Sequence, residues 1–250
     1  MSLLEVQGLS KSFGAIRAVQ DVSFTLEQGE ILGIIGPNGS GKTTLFNMVL
    51  GQLPPDAGNV RFDGRDITGA SPLSIAASGV GRTFQSLQVF GSLSARDNLI
   101  AAAQEGRGSR LGRLFGPADG GMTAQADAYI ERFRLQHVAD LKAGTLSYGQ
   151  QKLIDLAMAF VSAPGLVMLD EPAAGVNPTL VEDIRQMLEA QNTERGTTFV
   201  VIEHNMEFVM KLCHRVIVMA EGKVIATGKP AAVQNDPTVI SAYLGEEVTR

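Results

Sequence analysis

The stretch that decides the fold is Glu30-Ile-Leu-Gly-Ile-Ile-Gly36-Pro-Asn-Gly-Ser-Gly-Lys-Thr43. The run up to Ile35 is compact and apolar, as in strands that are buried on both faces of a sheet. The glycine-rich part satisfies the pattern G-x-x-x-x-G-K-[ST], and helical spacing continues from Lys42 to Leu50 before Gly51. A strand, a glycine loop and a helix in this order predict a phosphate-binding loop.

The residue types of this loop suit a nucleoside triphosphate with Mg²⁺. Glycines allow consecutive backbone N–H groups to curl around the β-phosphate, and the helix N-terminus adds a positive dipole. We expect Lys42 to bridge β- and γ-phosphate oxygens and the Thr43 hydroxyl to bind the metal. The pattern is restrictive, which disfavours an ordinary glycine turn before a helix. The residues assigned to nucleotide binding in this loop are Gly36, Pro37, Asn38, Gly39, Ser40, Gly41, Lys42, Thr43 and Thr44.

Two acids end a second apolar strand, Leu166-Val-Met-Leu-Asp170-Glu171. Taken alone, they would be interpreted as acids at a solvated strand end. Beside a phosphate loop, Asp170 suits a metal ligand and Glu171 suits the base that activates water. The two motifs together therefore predict a site that hydrolyses a nucleotide.

The composition excludes several other classes of protein. The chain has 250 residues, of which 44% are hydrophobic and 19% charged, unlike an intrinsically disordered protein. Its net charge of −5 lacks the basic field of non-specific nucleic-acid binders, so no nucleic-acid partner is expected. A single cysteine and an N-terminus without a signal pattern predict the reducing cytosol. No apolar stretch reaches the ~18 to 20 residues needed to span a bilayer.

Outside these two motifs, the spacing of apolar and turn residues predicts a mixed α/β chain. An antiparallel β lobe is predicted in the first thirty residues. The Gly/Arg-rich residues 104–121 indicate a surface excursion. Predicted helices cover Ala95–Ala103, Thr123–Phe133, Gln150–Val161, Asn177–Glu194 and Met206–Leu212, and predicted strands cover Gly165–Asp170, Thr197–Ile202 and Arg215–Met219, followed by a hairpin turn at Glu221-Gly222.

Further motifs resemble the ATP-binding cassette (ABC) ATPases. Leu146-Ser-Tyr-Gly-Gln150 precedes the acidic strand and resembles their LSGGQ signature, with Tyr148 in place of the first glycine. Gln85 resembles the Q-loop glutamine, His204 the switch histidine, and Phe13 the aromatic residue that stacks on adenine. The order of the motifs matches too, and the likeness covers essentially all 250 residues.

The likeness narrows to the ATPase subunits of bacterial branched-chain amino-acid uptake systems. The C-terminal tail is the most specific part of this resemblance, because it lies outside the motifs that ABC ATPases share in general. One departure is Asn177, where many ABC ATPases have aspartate in the D-loop. The stretches that carry the narrower resemblance are Arg82-Thr-Phe-Gln85, Leu146-Ser-Tyr-Gly-Gln-Gln151, Glu171-Pro-Ala-Ala-Gly175, Ile202-Glu-His204, Val233-Gln-Asn-Asp-Pro237 and Ala242-Tyr-Leu-Gly-Glu246.

The resemblance implies a P-loop NTPase of ABC ATPase type: a mixed central sheet, an antiparallel β lobe and a helical signature subdomain. One domain would span residues 1–250, with a nucleotide-binding core (1–88 and 161–235), the helical subdomain (89–160) and a tail (236–250). Glu171 would polarise water, His204 would contact the γ-phosphate, and Gln85 would link the metal to the membrane-subunit interface. Metal ligands would be Thr43, Gln85 and Asp170. The signature residues, which would contact the ATP of a partner subunit, are Leu146, Ser147, Tyr148, Gly149 and Gln150.

The resemblance also implies partners. A second ATPase subunit, identical or different, would form a head-to-tail dimer on integral-membrane permeases at the cytoplasmic face of the plasma membrane. A substrate-binding protein outside the membrane would deliver the solute. The permeases would dock near residues 85–99, which carry Leu87, Val89, Phe90 and Leu93, although a packed core explains these four apolar residues equally well.

Two other classes of function remain as alternatives. A soluble ABC ATPase for DNA repair or translation needs long coiled-coil insertions or two cassettes in one chain, and this sequence has neither. A regulatory nucleotide-binding module would tolerate the loss of Glu171 and His204, which are both present. His137, His214 and Cys213 form no recognisable metal-ligand pattern, so packing or surface roles are expected for them.

Overall fold

The computed structural model describes residues 2–83, 87–105 and 120–247. The chain forms two compact units, one of Met1–Ile75 with Asn192–Arg250 (the loop unit) and one of Ala76–Gln191 (the signature unit). The finer division into core, helical subdomain and tail stays a prediction.

The predicted elements are present, with small shifts at their ends. The strands are β1 (Ser2–Phe13), β2 (Ile16–Glu27), β3 (Ile31–Ile35), β4 (Ala57–Phe62), β5 (Arg65–Asp66), β6 (Val80–Arg82), β7 (Leu166–Asp170), β8 (Thr198–Ile202), β9 (Arg215–Ala220) and β10 (Lys223–Gly228). The α-helices are α1 (Lys42–Val49), α2 (Pro72–Ala77), α3 (Ala95–Glu105), α4 (Gly120–Arg132), α5 (Tyr148–Val161), α6 (Pro178–Arg195), α7 (Met206–Leu212), α8 (Pro230–Gln234) and α9 (Pro237–Glu247). Short 3₁₀ turns cover Gln136–Val138 and Ala143–Thr145.

The loop unit contains the predicted antiparallel lobe. Its strands lie in the order β2-β1-β4-β5, and each neighbouring pair is antiparallel. Alternating apolar side chains of β1 and β2 are buried, so one face of this sheet is packed and the other is polar. The buried residues of the two strands include Leu4, Val6, Leu9, Val22, Phe24 and Leu26.

A second, mixed sheet of the loop unit holds β3 at its centre. β3 pairs in parallel with β8 and β9, and β10 is antiparallel to β9. All five residues of β3 are buried, as the apolar run predicted, and all five residues of β8 are buried too. Gly33 is needed in β3, because an added Cβ would lie 3.0 Å from both Cys213 Sγ and Val209 Cγ1. The helix α7 therefore packs closely on this strand.

The signature unit combines the parallel pair β6 and β7 with α3, α4 and α5. Phe133 lies at its centre, with ring centroids 6.3 Å from Tyr129 and 5.9 Å from Phe160. α3 begins after Ser94, whose Oγ accepts a hydrogen bond from the Asp97 N–H at 3.0 Å and so caps the helix. Of the predicted excursion, residues 106–119 lie outside the described residues, while Gly120 and Gly121 already belong to α4.

The C-terminal helix α9 packs against β10 and α8 of the loop unit. Val239 is 3% exposed, whereas the neighbouring Ile240 is 45% exposed. The spacing of Val239, Ile240, Tyr243 and Leu244 after Pro237 predicts an apolar helix face that packs on the β core or on a partner ATPase. Within the chain, Val239 is packed and Ile240 is exposed. None of the helices within the described ranges is both long and apolar enough to cross a bilayer.

We expect Val239→Ala to lower the melting temperature by about 3–6 °C. Two buried methyl groups are lost at about 0.8 kcal/mol each, and in a chain of this length each kcal/mol shifts Tm by about 2–4 °C. Ile240→Ala is the matched control and leaves Tm unchanged. Differential scanning calorimetry measures both variants, and equal values for the two would show that α9 adds no stability through this contact.

Candidate functional site

The loop after β3 has the backbone that a phosphate cradle needs. Gly36, Gly39 and Gly41 have φ values of 147°, 74° and 97°, which side chains other than glycine rarely adopt. An added Cβ on Gly36 would lie 2.0 Å from the carbonyl oxygen of Met219, and one on Gly41 would lie 2.2 Å from that of Ala18. Glycine is therefore obligatory at these two positions because backbone approaches the loop closely.

The helix α1 begins at the end of this loop without a capping side chain. Gly41 occupies the N-cap position in the left-handed conformation and offers no side-chain oxygen to the first-turn amides. A bound anion can take the place of the cap, because the helix dipole and the first-turn N–H groups favour negative charge. Thr43 is exposed in this first turn, where its hydroxyl is accessible.

Lys42 places a positive charge inside the curl of the loop. The residue is only 5% exposed. Its Nζ donates hydrogen bonds to the carbonyl oxygens of Gly36 at 2.7 Å and Pro37 at 2.9 Å, and to Ser40 Oγ at 3.3 Å. The ammonium is thus held by the loop itself, in the position from which it can reach phosphate oxygens.

His204 lies at the same edge of the mixed sheet as the loop. Ile34 of β3 pairs with Ile202 of β8 in parallel register, so Gly36 and His204 each follow two residues later. The carboxyl ends of parallel strands are the usual position for ligand-binding residues. His204 is exposed there, where its imidazole can reach a ligand.

Glu203 holds the backbone of His204 and is a residue that the sequence analysis missed. It is 3% exposed, and its Oε2 accepts hydrogen bonds from the N–H groups of His204 at 3.0 Å and Asn205 at 3.2 Å. Asn205 then caps α7 through its Oδ1, which accepts from the Phe208 N–H at 3.0 Å. The sequence feature that could have identified Glu203 was an acidic residue directly before a histidine at the end of a strand.

Phe13 ends β1 as a half-exposed aromatic ring. It is 50% exposed and pairs with Ile16 across the β1–β2 hairpin. Two residues further along β2, the Ala18 carbonyl faces Gly41, so the hairpin end lies near the phosphate loop. Phe24 is a second aromatic residue upstream of the loop that could be mistaken for the base-stacking one, but it is 8% exposed and belongs to the lobe core.

Asp170 and Glu171 follow β7 in the signature unit. Asp170 is 6% exposed and its N–H donates to Thr83 Oγ1 at 3.2 Å, while the Thr83 N–H donates to the Met168 carbonyl at 2.9 Å. Nearby, burial lowers the pKa of Arg82, and the charge of Asp170 acts in the opposite direction. The described part of β6 therefore fixes the backbone that carries the two acids.

Glu171 has a strained backbone that its neighbours hold in place. Its φ is 48°, a conformation that costs a residue other than glycine about 1–3 kcal/mol. Its carbonyl oxygen accepts hydrogen bonds from Lys152 Nζ at 3.2 Å and from the Ala174 N–H at 3.1 Å. Strain of this kind is a recurrent feature of functional sites. Gln85, the third predicted catalytic residue, lies outside the described residues.

The signature motif forms the N-cap and first turn of α5, which begins two residues before the predicted Gln150. Ser147 Oγ accepts from the Gln150 N–H, and Gln150 Oε1 accepts from the Ser147 N–H at 3.0 Å. This reciprocal capping explains the earlier start. Tyr148 is 47% exposed, and its ring lies where a Cβ on Gly175 would approach it to 3.2 Å.

A cleft of about 680 Å³ opens beside the signature turn, lined by Ser147, Tyr148 and Asn177 among others. Asn177 caps α6, because its Oδ1 accepts a hydrogen bond from the Leu180 N–H at 2.9 Å. The carbonyl end of this amide is therefore engaged within the chain. The asparagine that stands here in place of aspartate therefore caps a helix within its own chain.

The residues expected to lack chemistry have packing contacts. His214 Nδ1 accepts from the Ile31 N–H at 3.2 Å, and His137 Nε2 lies 3.3 Å from Gln150 Nε2. Burial raises the pKa of the Cys213 thiol to about 12, which makes it a poor nucleophile. No group of three or more His, Cys, Asp and Glu side chains in the described residues could hold a metal ion.

Comparisons with known proteins cover nearly the whole chain. Residues 19–174 match the family described as ABC transporter, and residues 223–249 match the one described as branched-chain amino acid ATP-binding cassette transporter. The chain is 38% identical to the high-affinity branched-chain amino acid transport ATP-binding protein BraF of Pseudomonas aeruginosa, over 98% of each chain. It is 36% identical to LivG of Escherichia coli, which carries the same description, again over 98% of each.

A solved structure agrees with the fold described above. The ADP conformation of MJ1267, an ATP-binding cassette of an ABC transporter, superposes with a TM-score of 0.87 at 36% identity. The match covers 98% of this chain and 99% of that one. The predicted fold class is confirmed.

Proposed function

Since the chain belongs to the ABC transporter family, whose activity is ATP hydrolysis, we propose that it is the ATP-hydrolysing subunit of an importer for branched-chain amino acids. One observation carries the choice of solute: the likeness to the branched-chain relatives extends through residues 223–249, beyond the general cassette motifs. Because the ATPase subunit does not contact the solute, this assignment rests on the relatives and not on a solute pocket.

ATP binds to the loop Gly36–Thr44 and stacks its base on Phe13. Lys42 neutralises charge shared by the β- and γ-phosphates. Thr43 and Asp170 offer the hydroxyl and carboxylate oxygens that Mg²⁺ prefers, so the donor set fits this ion. When bound, Mg²⁺ supplies further charge neutralisation at the phosphates.

Glu171 polarises the attacking water as the general base, and His204 donates to the γ-phosphate as negative charge develops there. Gln85 joins the metal site to the membrane-subunit interface. The hydrogen bonds to the Glu171 carbonyl and from the His204 N–H support these roles, because each fixes the backbone that carries the side chain.

Two copies of the ATPase, or two related chains, associate head to tail. The signature residues, Leu146 to Gln150, then contact the ATP bound to the partner's loop. Ser147 and Tyr148 are exposed and line the cleft beside Asn177, which supports this role because a partner's nucleotide can reach them from solvent. ATP closes the dimer and hydrolysis releases it.

The permease docks on an apolar patch formed by Leu87, Val89, Phe90 and Leu93, here called the docking patch. Phe90 is 55% exposed and Leu93 36% exposed, and Leu87 and Val89 are half-buried. A packed core therefore does not account for Phe90 or Leu93. Asn98 supports the patch from beneath, since its Oδ1 accepts from the Phe90 N–H at 2.8 Å and its Nδ2 donates to the Phe90 carbonyl at 3.1 Å. A subunit docked in this way lies on the cytoplasmic face of the membrane as a peripheral protein.

We expect Phe90→Ser with Leu93→Ser to abolish co-purification with the permease subunits. Exposed aromatic and aliphatic anchors carry much of the affinity of such interfaces. The ATPase activity of the isolated subunit stays within about twofold of wild type. Leu73→Ser, at a residue 61% exposed on α2, is the matched control. Retention of the permeases by the double variant would rule out this patch as the docking site.

We expect Phe13→Ala to raise the Kd for ATP by about 5- to 150-fold, since base stacking on an aromatic ring contributes about 1–3 kcal/mol. Phe13→Tyr keeps the ring and changes the Kd little. Titration with a fluorescent ATP analogue measures all three proteins. Equal affinity of Phe13→Ala and wild type would show that another residue holds the base.

Gene deletion in the source organism tests the proposed function as a whole. The deletion is expected to abolish high-affinity uptake of labelled leucine, isoleucine and valine, and wild-type protein restores it. Complementation with Glu171→Gln does not. Normal uptake in the deletion strain would favour a soluble ATPase or a regulatory nucleotide-binding module.

A further inference from the structure

Two buried charged residues of α5 lie between Glu171 and residues 87–93, which carry the docking patch and are here called the docking segment. Lys152 is 1% exposed and Asp155 is 4% exposed. Their spacing of three residues places them on the same face of the helix. Asp155 has no part in the roles described above, and Lys152 enters them only as a donor to the Glu171 carbonyl oxygen.

Lys152 acts on Glu171 through the backbone. Its Nζ donates a hydrogen bond to the Glu171 carbonyl oxygen at 3.2 Å. Glu171 has the strained φ of 48°, and such a backbone persists only where its surroundings hold it. Loss of this hydrogen bond lets the peptide relax towards an ordinary conformation, which turns the Glu171 carboxylate away from its working direction.

Asp155 joins this lysine to the segment that carries the docking patch. Its Oδ1 accepts a hydrogen bond from the Gln88 N–H at 3.1 Å, two residues before Phe90. Burial raises the pKa of Asp155, while the Gln88 amide and the charge of Lys152 lower it. Both side chains are buried on the same helix face, so the charge of Lys152 acts on Asp155 through the low-dielectric interior.

A gain in folding stability does not explain why Lys152 and Asp155 are buried. Two buried charges lose much hydration, and apolar side chains of similar size often pack at least as well. Asp155 Oδ2 has no hydrogen-bond partner among the described residues, which adds to the cost. Buried charged residues that lower the free energy of unfolding are expected where they hold a functional group in a fixed position.

We propose that Lys152 is a positioning residue for Glu171, and that Asp155 holds Lys152 and ties it to the docking segment. The inference rests on the proposed role of Glu171 as the general base. A displacement of residues 87–93 by the permease passes through the Gln88 amide and Asp155 to Lys152, and from there to the backbone of the base. The pair gives the docking patch a direct mechanical connection to ATP hydrolysis within the signature unit.

Steady-state ATPase kinetics of the full chain test the proposal. Lys152→Met is expected to lower kcat by about 10- to 100-fold, the order of loss that follows a small misplacement of a catalytic group. The KM for ATP stays within about twofold. Lys152→Arg keeps a donor and restores at least about a third of the activity. Lys142→Met, at an exposed lysine of the same unit, leaves kcat unchanged.

A double-variant comparison separates positioning from general damage. In the Glu171→Gln background, Lys152→Met causes no further loss of the residual rate, because Lys152 acts only through the carboxylate of Glu171. An equal loss in both backgrounds, or an unchanged kcat in Lys152→Met, would overturn the proposal. If Glu171→Gln itself turns over ATP at the wild-type rate, the proposed function of Glu171 is what fails.

If Lys152→Met does not fold, the same kinetic measurement on Asp155→Asn tests the proposal. Asparagine retains the Oδ1 acceptor for the Gln88 amide and removes only the counter-charge. The variant is expected to fold, to lower kcat at least about threefold and to leave the KM unchanged. Wild-type kcat in a folded Asp155→Asn protein would remove Asp155 from the proposal.

Discussion

Lys42→Ala weakens ATP binding by about 100-fold or more and abolishes turnover. Hydrogen bonds from a charged group contribute about 1.5–3 kcal/mol each, and this ammonium is expected to serve two phosphates. The alanine also leaves the Gly36 and Pro37 carbonyls without their buried donor, so the loop loses the group that shapes it. Isothermal titration calorimetry with ATP measures the affinity, and phosphate release measures turnover.

The matched control for Lys42→Ala is Lys229→Ala, which removes an exposed lysine of the same unit. It leaves binding and turnover unchanged. Circular dichroism confirms that both variants are folded. A folded Lys42→Ala protein with wild-type ATPase activity would contradict the assignment of the loop.

Glu171→Gln lowers kcat by about 10²- to 10⁴-fold and keeps the affinity for ATP. The amide has the shape of the carboxylate but cannot accept a proton from the attacking water, and general-base assistance accounts for a loss of this size. Because ATP then remains intact, the ATP-bound dimer accumulates. Single-turnover kinetics measure the chemical step, and size-exclusion chromatography with Mg²⁺ and ATP measures the dimer.

Glu131→Gln, at an exposed acid of the same unit, is the control for Glu171→Gln and changes neither quantity. If Glu171→Gln remains monomeric with ATP although it no longer turns over, the proposed dimer is wrong. If it turns over normally, the base is another group.

Local backbone constraints made the phosphate loop predictable. At Gly36 and Gly41 the chain passes so close to other backbone that only glycine fits, and the spacing of the motif records this requirement directly. β3 was predictable for a similar reason, because a short run with every residue apolar suits a strand that is buried on both faces.

The contacts that hold the site were less predictable. Lys152 and Asp155 have the spacing of an exposed i, i+3 pair on a helix, and their burial depends on partners 19 and 67 residues away. Glu203 resembles any acid at a strand end until its hydrogen bonds to the following amides are seen. Tertiary contacts of this kind leave no periodic pattern, so hydrophobic spacing gives no indication of them.

The tail was predictable only in part. Apolar spacing puts Val239 and Ile240 on one helix face, and within the chain Val239 is buried whereas Ile240 is 45% exposed. Spacing shows which side chains share a helix face. How far a neighbouring element covers that face depends on packing elsewhere in the chain.

ATP-driven uptake by proteoliposomes tests the central claim most directly. The chain is reconstituted with the proposed permease subunits and substrate-binding protein, and ATP is enclosed on the ATPase side. Entry of labelled leucine is followed against that of labelled lysine. The account predicts leucine uptake that requires ATP, is lost with Glu171→Gln and is competed by isoleucine and valine but not by lysine. ATP hydrolysis without leucine uptake, or uptake that continues with Glu171→Gln, would contradict it.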